Sequence, residues 1–147
     1  MAAQFTDLDC IVGNMANNPL VGAWELVSES RVGIRIYTGS HSAVLGAPKD
    51  RKRSAGDQAT PGEVLEALNS CPALGGTDTL SGSRITHARL ANTRPNLSGQ
   101  DLVVDYTIHG DNMTATAVSG SGGGTPGSSA TFRMVGSSGV GNPLVGA

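Results

Sequence analysis

Period-two alternation of apolar and polar positions dominates this chain. Over residues 20–28 (LVGAWELVS), Leu20, Gly22, Trp24 and Leu26 share one face of an extended segment, and Val21, Ala23, Glu25 and Val27 share the other. Residues 32–38 (VGIRIYT) alternate again, with Ile34 and Ile36 on one face and Arg35 and Tyr37 on the opposite one. Gly39-Ser40 then turns the chain into a short antiparallel strand at 41–45. Past residue 76 the same signal predicts strands at 77–83, 84–91, 101–109, 113–118 and 130–135. Gly110-Asp111-Asn112 supplies a hairpin turn between two of them.

One segment breaks the pattern. Thr60-Pro61-Gly62-Glu63 combines an N-cap residue, a proline at the first helical position and a glutamate three residues on, which together form a capping box. Val64, Leu65, Leu68 and Cys71 follow at helical spacing, predicting one helix of about ten residues that Pro72 ends. Eight short strands with one helix after the third predict an all-β, eight-stranded up-and-down barrel, which leaves no open sheet edge. The barrel domain spans 19–136, after a lead-in at 1–18 and before a tail at 137–147. The tail repeats NPLVGA of 18–23 at 142–147, so the chain reads either as one unit of a tandem array or as carrying a second edge segment for the same pairing. Residues 119–129, almost wholly Gly, Ser, Thr and Pro, read as a flexible loop.

Composition narrows the function classes. With 21 glycines and only five aromatic residues (Trp24, Tyr37, Tyr106, Phe5 and Phe132), the interior is light, which favours either a cavity or a core completed by a partner chain in a homodimer. A net charge of −2 gives no general footprint for nucleic acid. The basic run at 49–53 has no interleaved aromatics and reads as a solvated loop. No apolar run is long enough for a membrane helix. The N-terminus, with Asp7 and Asp9, has no secretory pattern, so a cytoplasmic location is expected. Cys10 and Cys71 lack zinc-ligand spacing, and His41, His87 and His109 form no ligand pair, so no metal is expected. Gly120–Gly124 is not a phosphate loop and no serine sits in a GxSxG elbow, so neither a nucleotide cofactor nor serine hydrolysis is expected.

The segments LVGAWELVS, IYTGSHSAVL (36–45) and SGSRITHARLANTRPNLSGQDLVVDY (81–106) resemble the microbial lipocalin-like domain family. Trp24, Tyr37, Ser42-Ala43 and His87 occupy its recurrent positions, while His41 replaces the usual methionine. The resemblance covers about residues 20–135. It implies a calycin-type barrel around a small, mostly apolar molecule. It also implies kinship with cofactor-independent cyclases and pericyclases of natural-product pathways.

Candidate residues follow from the strand faces. His87, alternating with Ile85 and Arg89, is the side chain suited to acid–base work near neutral pH. Tyr106 shares an inward face with Leu102, Val104 and Ile108, where its phenol needs a partner that a ligand carbonyl could supply. Tyr37 with Arg35 would clamp a carboxylate, enolate or carbonyl if turned inward. Ile34 and Ile36, however, argue that Arg35 faces solvent. Trp24 reads as a ring closing one end of the barrel or stacking on a ligand, and Arg84, Leu102 and Val104 complete the ligand set. Two functions use such a cavity: a cofactor-independent cyclase or isomerase with catalytic His87, Tyr106 and Tyr37, or a carrier of a small lipophilic molecule.

Overall fold

The computed structural model describes residues 18–118 and 126–136. The lead-in up to residue 17 with Cys10, the glycine-rich stretch 119–125 and the tail 137–147 with the second NPLVGA lie outside the described residues. The chain forms β1 (Gly22–Leu26), β2 (Arg31–Tyr37), β3 (His41–Pro48), α1 (Pro61–Ser70), β4 (Ala73–Ser81), β5 (Arg84–Asn92), β6 (Asp101–His109), β7 (Asn112–Ala117) and β8 (Ser129–Gly136). Neighbouring strands pair antiparallel in sequence order, and β8 closes on β1 through Leu26↔Phe132 and Trp24↔Met134. The architecture is therefore the expected eight-stranded up-and-down barrel with one short helix.

The two ends differ. At one end β2–β3, β4–β5 and β6–β7 are joined by tight turns in which Gly39, Gly82 and Gly110 take positive φ (105°, 61° and 61°), a backbone region open to glycine. At the other end lie the longer connections, including α1 and a 3-10 turn at Pro95–Leu97. The apolar core contains Leu20, Trp24, Ile85, Val104, Met113 and Phe132, all buried. Leu20 precedes the first strand and plugs the core. Its amide donates to Asn18 Oδ1 at 2.9 Å, and its carbonyl accepts the Trp24 indole N–H at 2.8 Å. That bond satisfies the polar tip of a buried ring.

The capping box forms as read. Thr60 Oγ1 accepts from the Glu63 amide at 3.3 Å, and Glu63 Oε2 accepts from the Thr60 amide at 2.8 Å. The far end of α1 has no basic residue in its own last turn. Guanidiniums from elsewhere take the terminal carbonyls instead: Arg31 donates to Ser70 O at 2.9 Å and Arg94 to Asn69 O at 3.2 Å. The apolar stripe of the helix does not bury, and Val64, Leu65 and Leu68 stay exposed.

The inside–outside reading of β2 is reversed. Trp24 faces inward and pairs across the ladder with Arg35, and directly paired residues share a face of the sheet. Arg35 and buried Tyr37 therefore turn into the barrel, while Ile34 and Ile36 stand about half exposed on the outside at 48% and 47%. Together with outward Glu25, Val32, Leu45 and Ala47, Ile34 lines an open groove of about 470 Å³ on the outer wall of β1–β3.

Candidate functional site

The Gly82-Ser83 hairpin sets the register of β4 against β5, so that Asp78 faces His87. Both side chains point inward and are buried. His87 Nδ1 lies 2.6 Å from Asp78 Oδ1. Ser42, from β3, donates to the same oxygen at 2.9 Å and stands 3.3 Å from His87 Nδ1. An ionised carboxylate only accepts, so the short contact places a proton on Nδ1. In the neutral ring, Nε2 then carries the lone pair, and this atom is buried with no hydrogen-bond partner among the described residues. Ser42 sits on the aspartate side of the imidazole rather than at Nε2, so the three groups do not form a nucleophile–base–acid relay. Asp78 and Ser42 form an orienting pair on the Nδ1 side of a ring whose other nitrogen has no partner among the described residues.

Tyr37 completes one side of this group. Its ring centroid lies 6.0 Å from that of His87, and its phenol oxygen accepts from Arg35 Nη1 at 3.1 Å. Burial pushes the Tyr37 phenol above its usual value, against the opposing pull of the Arg35 charge. The phenol therefore stays protonated, with its O–H available to a further acceptor. The Arg35 guanidinium carbon sits 5.1 Å from the Phe132 ring centroid and 5.9 Å from that of Tyr37, a cation held between two aromatic faces.

Further along β5, Arg89 is buried, and its Nε and Nη1 atoms lack acceptors among the described residues. Asn92 Nδ2 is likewise buried and unpartnered. A bulge makes this row continuous: Gly76 pairs with Arg89 but Gly75 with Ala91, leaving Leu90 unpaired and exposed.

Of the residues read from sequence, the structure brings together His87, Tyr37, Arg35 and Leu102, the last paired directly with His87 across β5–β6. Trp24 neighbours Arg35 within the apolar core. Val104 pairs with Ile85, one inward position nearer the tight turns. Two residues fall elsewhere. Tyr106 faces inward, but its phenol donates to Gly82 O at 3.1 Å at the tight-turn end, away from His87. Arg84 is on the outer wall, where Nε and Nη2 contact the Asp105 carboxylate at 2.7 and 3.0 Å; strand alternation puts it opposite His87.

Sequence reasoning passed over Asp78, the inward row of Arg89 and Asn92, and the contact made by Ser42. The signal for Asp78 was present: counting back from the Gly82-Ser83 turn on both strands sets residue 78 against residue 87. Among the described residues no group of three or more His, Cys, Asp or Glu side chains is placed to hold a metal ion. No described helix is long and apolar enough to cross a membrane. Comparison with family models, curated proteins and solved structures finds no match for this chain. The lipocalin-like resemblance is thus met by the barrel architecture and not by a family assignment.

Proposed function

We propose that the barrel is a cofactor-independent isomerase or cyclase that moves a proton on a small, largely apolar carbonyl compound. A single observation carries the reading: His87 is buried inside the barrel, oriented through Nδ1 by Asp78, with Nε2 free of any partner among the described residues. In this scheme Nε2 takes a proton from the carbon next to the carbonyl. The Tyr37 O–H, its oxygen already accepting from Arg35, donates to the oxygen on which negative charge develops. The imidazolium, stabilised by Asp78, returns the proton to another carbon of the same molecule, so no cofactor or net proton is consumed. The apolar wall of Leu102, Trp24 and Phe132 would hold the carbon skeleton and orient it.

The test is exchange of the α-protons of 2-cyclohexenone for deuterium in D2O, followed by proton NMR. Wild type is expected to exceed His87→Gln by about a hundredfold, the lower range for a positioned base. Asp78→Asn should fall between them. Equal rates in wild type and His87→Gln would sink the catalytic reading and leave the barrel as a carrier of lipophilic molecules.

A further inference from the structure

Charge is distributed unevenly between the two walls of the barrel. The chain as a whole is slightly acidic, at −2. Strand alternation nevertheless turns Arg31, Arg35 and Arg89 inward, and among the described strand residues Asp78 is the one carboxylate facing them. Asp78 Oδ1 is taken by His87 and Ser42, and its Oδ2 is buried with no partner among the described residues, so this carboxylate makes no ion pair with Arg89. Arg31 is occupied with the Ser70 carbonyl, and Arg35 with the Tyr37 phenol and two rings.

Arg89 has no such use. It is 3% exposed, and its Nε and Nη1 atoms find no acceptor among the described residues. Burial without a nearby anion pushes the guanidinium below its ordinary value. Arginine nevertheless keeps its charge in proteins, so the cost of burying it stands unless an anion arrives. Asn92 Nδ2, next along the row, adds a further donor with no partner among the described residues.

The geometry points to a ligand that bears a carboxylate, bound by Arg89 and Asn92 inside the barrel; this rests on the interior being the ligand site. The order along β5 from the longer connections inward is Asn92, Arg89, His87 and then Ile85. Arg89 and His87 are two residues apart, so their Cα atoms are about 6.7 Å apart along the strand. A carboxylate on Arg89 leaves the rest of the molecule to run past His87 Nε2 toward the apolar core at Ile85 and Trp24. The substrate class is therefore an apolar carboxylic acid whose reactive carbon lies a few bonds from the carboxylate. The ion pair is anchoring in kind, so Arg89 is a binding residue and His87 remains the base.

The test compares sodium octanoate with 1-octanol by isothermal titration calorimetry at pH 8, on wild type and Arg89→Gln. Wild type should bind octanoate at least tenfold more tightly than octanol, as expected for hydrogen bonds to a charged group. Arg89→Gln should remove that preference and leave octanol affinity within about twofold. Equal affinity for both probes in wild type, or a preference that survives Arg89→Gln, overturns the anion site while leaving the interior as a ligand site. Binding of neither probe to wild type overturns both readings. If Arg89→Gln does not fold, the Arg89 Nε–H resonance of wild type decides. It should shift as octanoate saturates the protein, and a resonance that stays fixed while octanoate binds overturns the proposal.

Discussion

His87 Nδ1 and Asp78 Oδ1 meet at 2.6 Å across one hairpin, inside the barrel and away from solvent. The contact specifies the neutral tautomer of the ring. We expect nitrogen-15 long-range correlation spectra to show the neutral form of the His87 ring protonated at Nδ1 and bare at Nε2. Asp78→Ala leaves the Nδ1–H without its carboxylate and should lower stability by about 1–3 kcal/mol in urea denaturation, the cost of an orphaned buried donor. A neutral His87 protonated at Nε2 would remove the base from the proposed chemistry.

The β4–β5 bulge is a second place where one atom decides. A Cβ at Gly76 would lie 1.9 Å from Ala88 O and 2.9 Å from its carbonyl carbon, and both are backbone atoms that cannot swing aside. Gly76→Ala should therefore cost more than the ~1–3 kcal/mol of ordinary overpacking. It should also disturb the register that turns Arg89 and Asn92 inward. Gly62→Ala, in the first turn of α1 with nothing within 4 Å of the added carbon, is the control. It should be neutral or stabilising by up to about 1 kcal/mol. Equal midpoints for the two variants in chemical denaturation would contradict this account.

How much of this was legible beforehand depended on which interaction carried the signal. The strands and the capping box are local, and the period-two alternation and Thr60-Pro61-Gly62-Glu63 reported both. Facing is not local. In β2 the isoleucines suggested one inside and the ladder chose the other, because Trp24 and Leu20 claim the core and Arg35 is Trp24's partner. A barrel whose inner wall carries arginines inverts the rule that apolar residues face in, so hydropathy misled where the interior is polar. Asp78 lay among threonines and carried no motif of its own. Only its register against His87 gives it a role, and register follows from turn position rather than from residue type. The bulge at Leu90 was invisible for a related reason: it shifts Asn92 back to the inner face after two outward residues, against simple alternation.

The two tyrosines predict an alkaline limit to stability. Burial raises the Tyr37 phenol above its ordinary value near 10, so the folded state holds that proton more tightly than the unfolded chain does. A raised folded value contributes stability that is fully present below pH about 10 and is lost as pH climbs through the folded value. Denaturation midpoints should therefore fall above pH about 10. Tyr37→Phe should flatten that fall more than Tyr106→Phe, because Tyr106, also raised by burial, is only partly covered. An identical pH dependence in both variants would mean that the buried phenol is not the group responsible.

The helix should behave as an appendage of the barrel. None of its residues is buried, and its apolar stripe faces solvent. Its C-terminal carbonyls are held by Arg31 and Arg94, and its N-terminus by the Thr60–Glu63 box. A threonine cap contributes about 1 kcal/mol, so Thr60→Ala should speed amide hydrogen exchange within Pro61–Ser70 about fivefold. If the helix opens separately from the strands, exchange in β4, β5 and β6 and the midpoint of global unfolding should not move. A parallel loss of midpoint would instead show that α1 folds as one cooperative unit with the barrel. In that case the guanidinium of Arg31, which sits on β2 and binds the last turn, would be the link transmitting the loss.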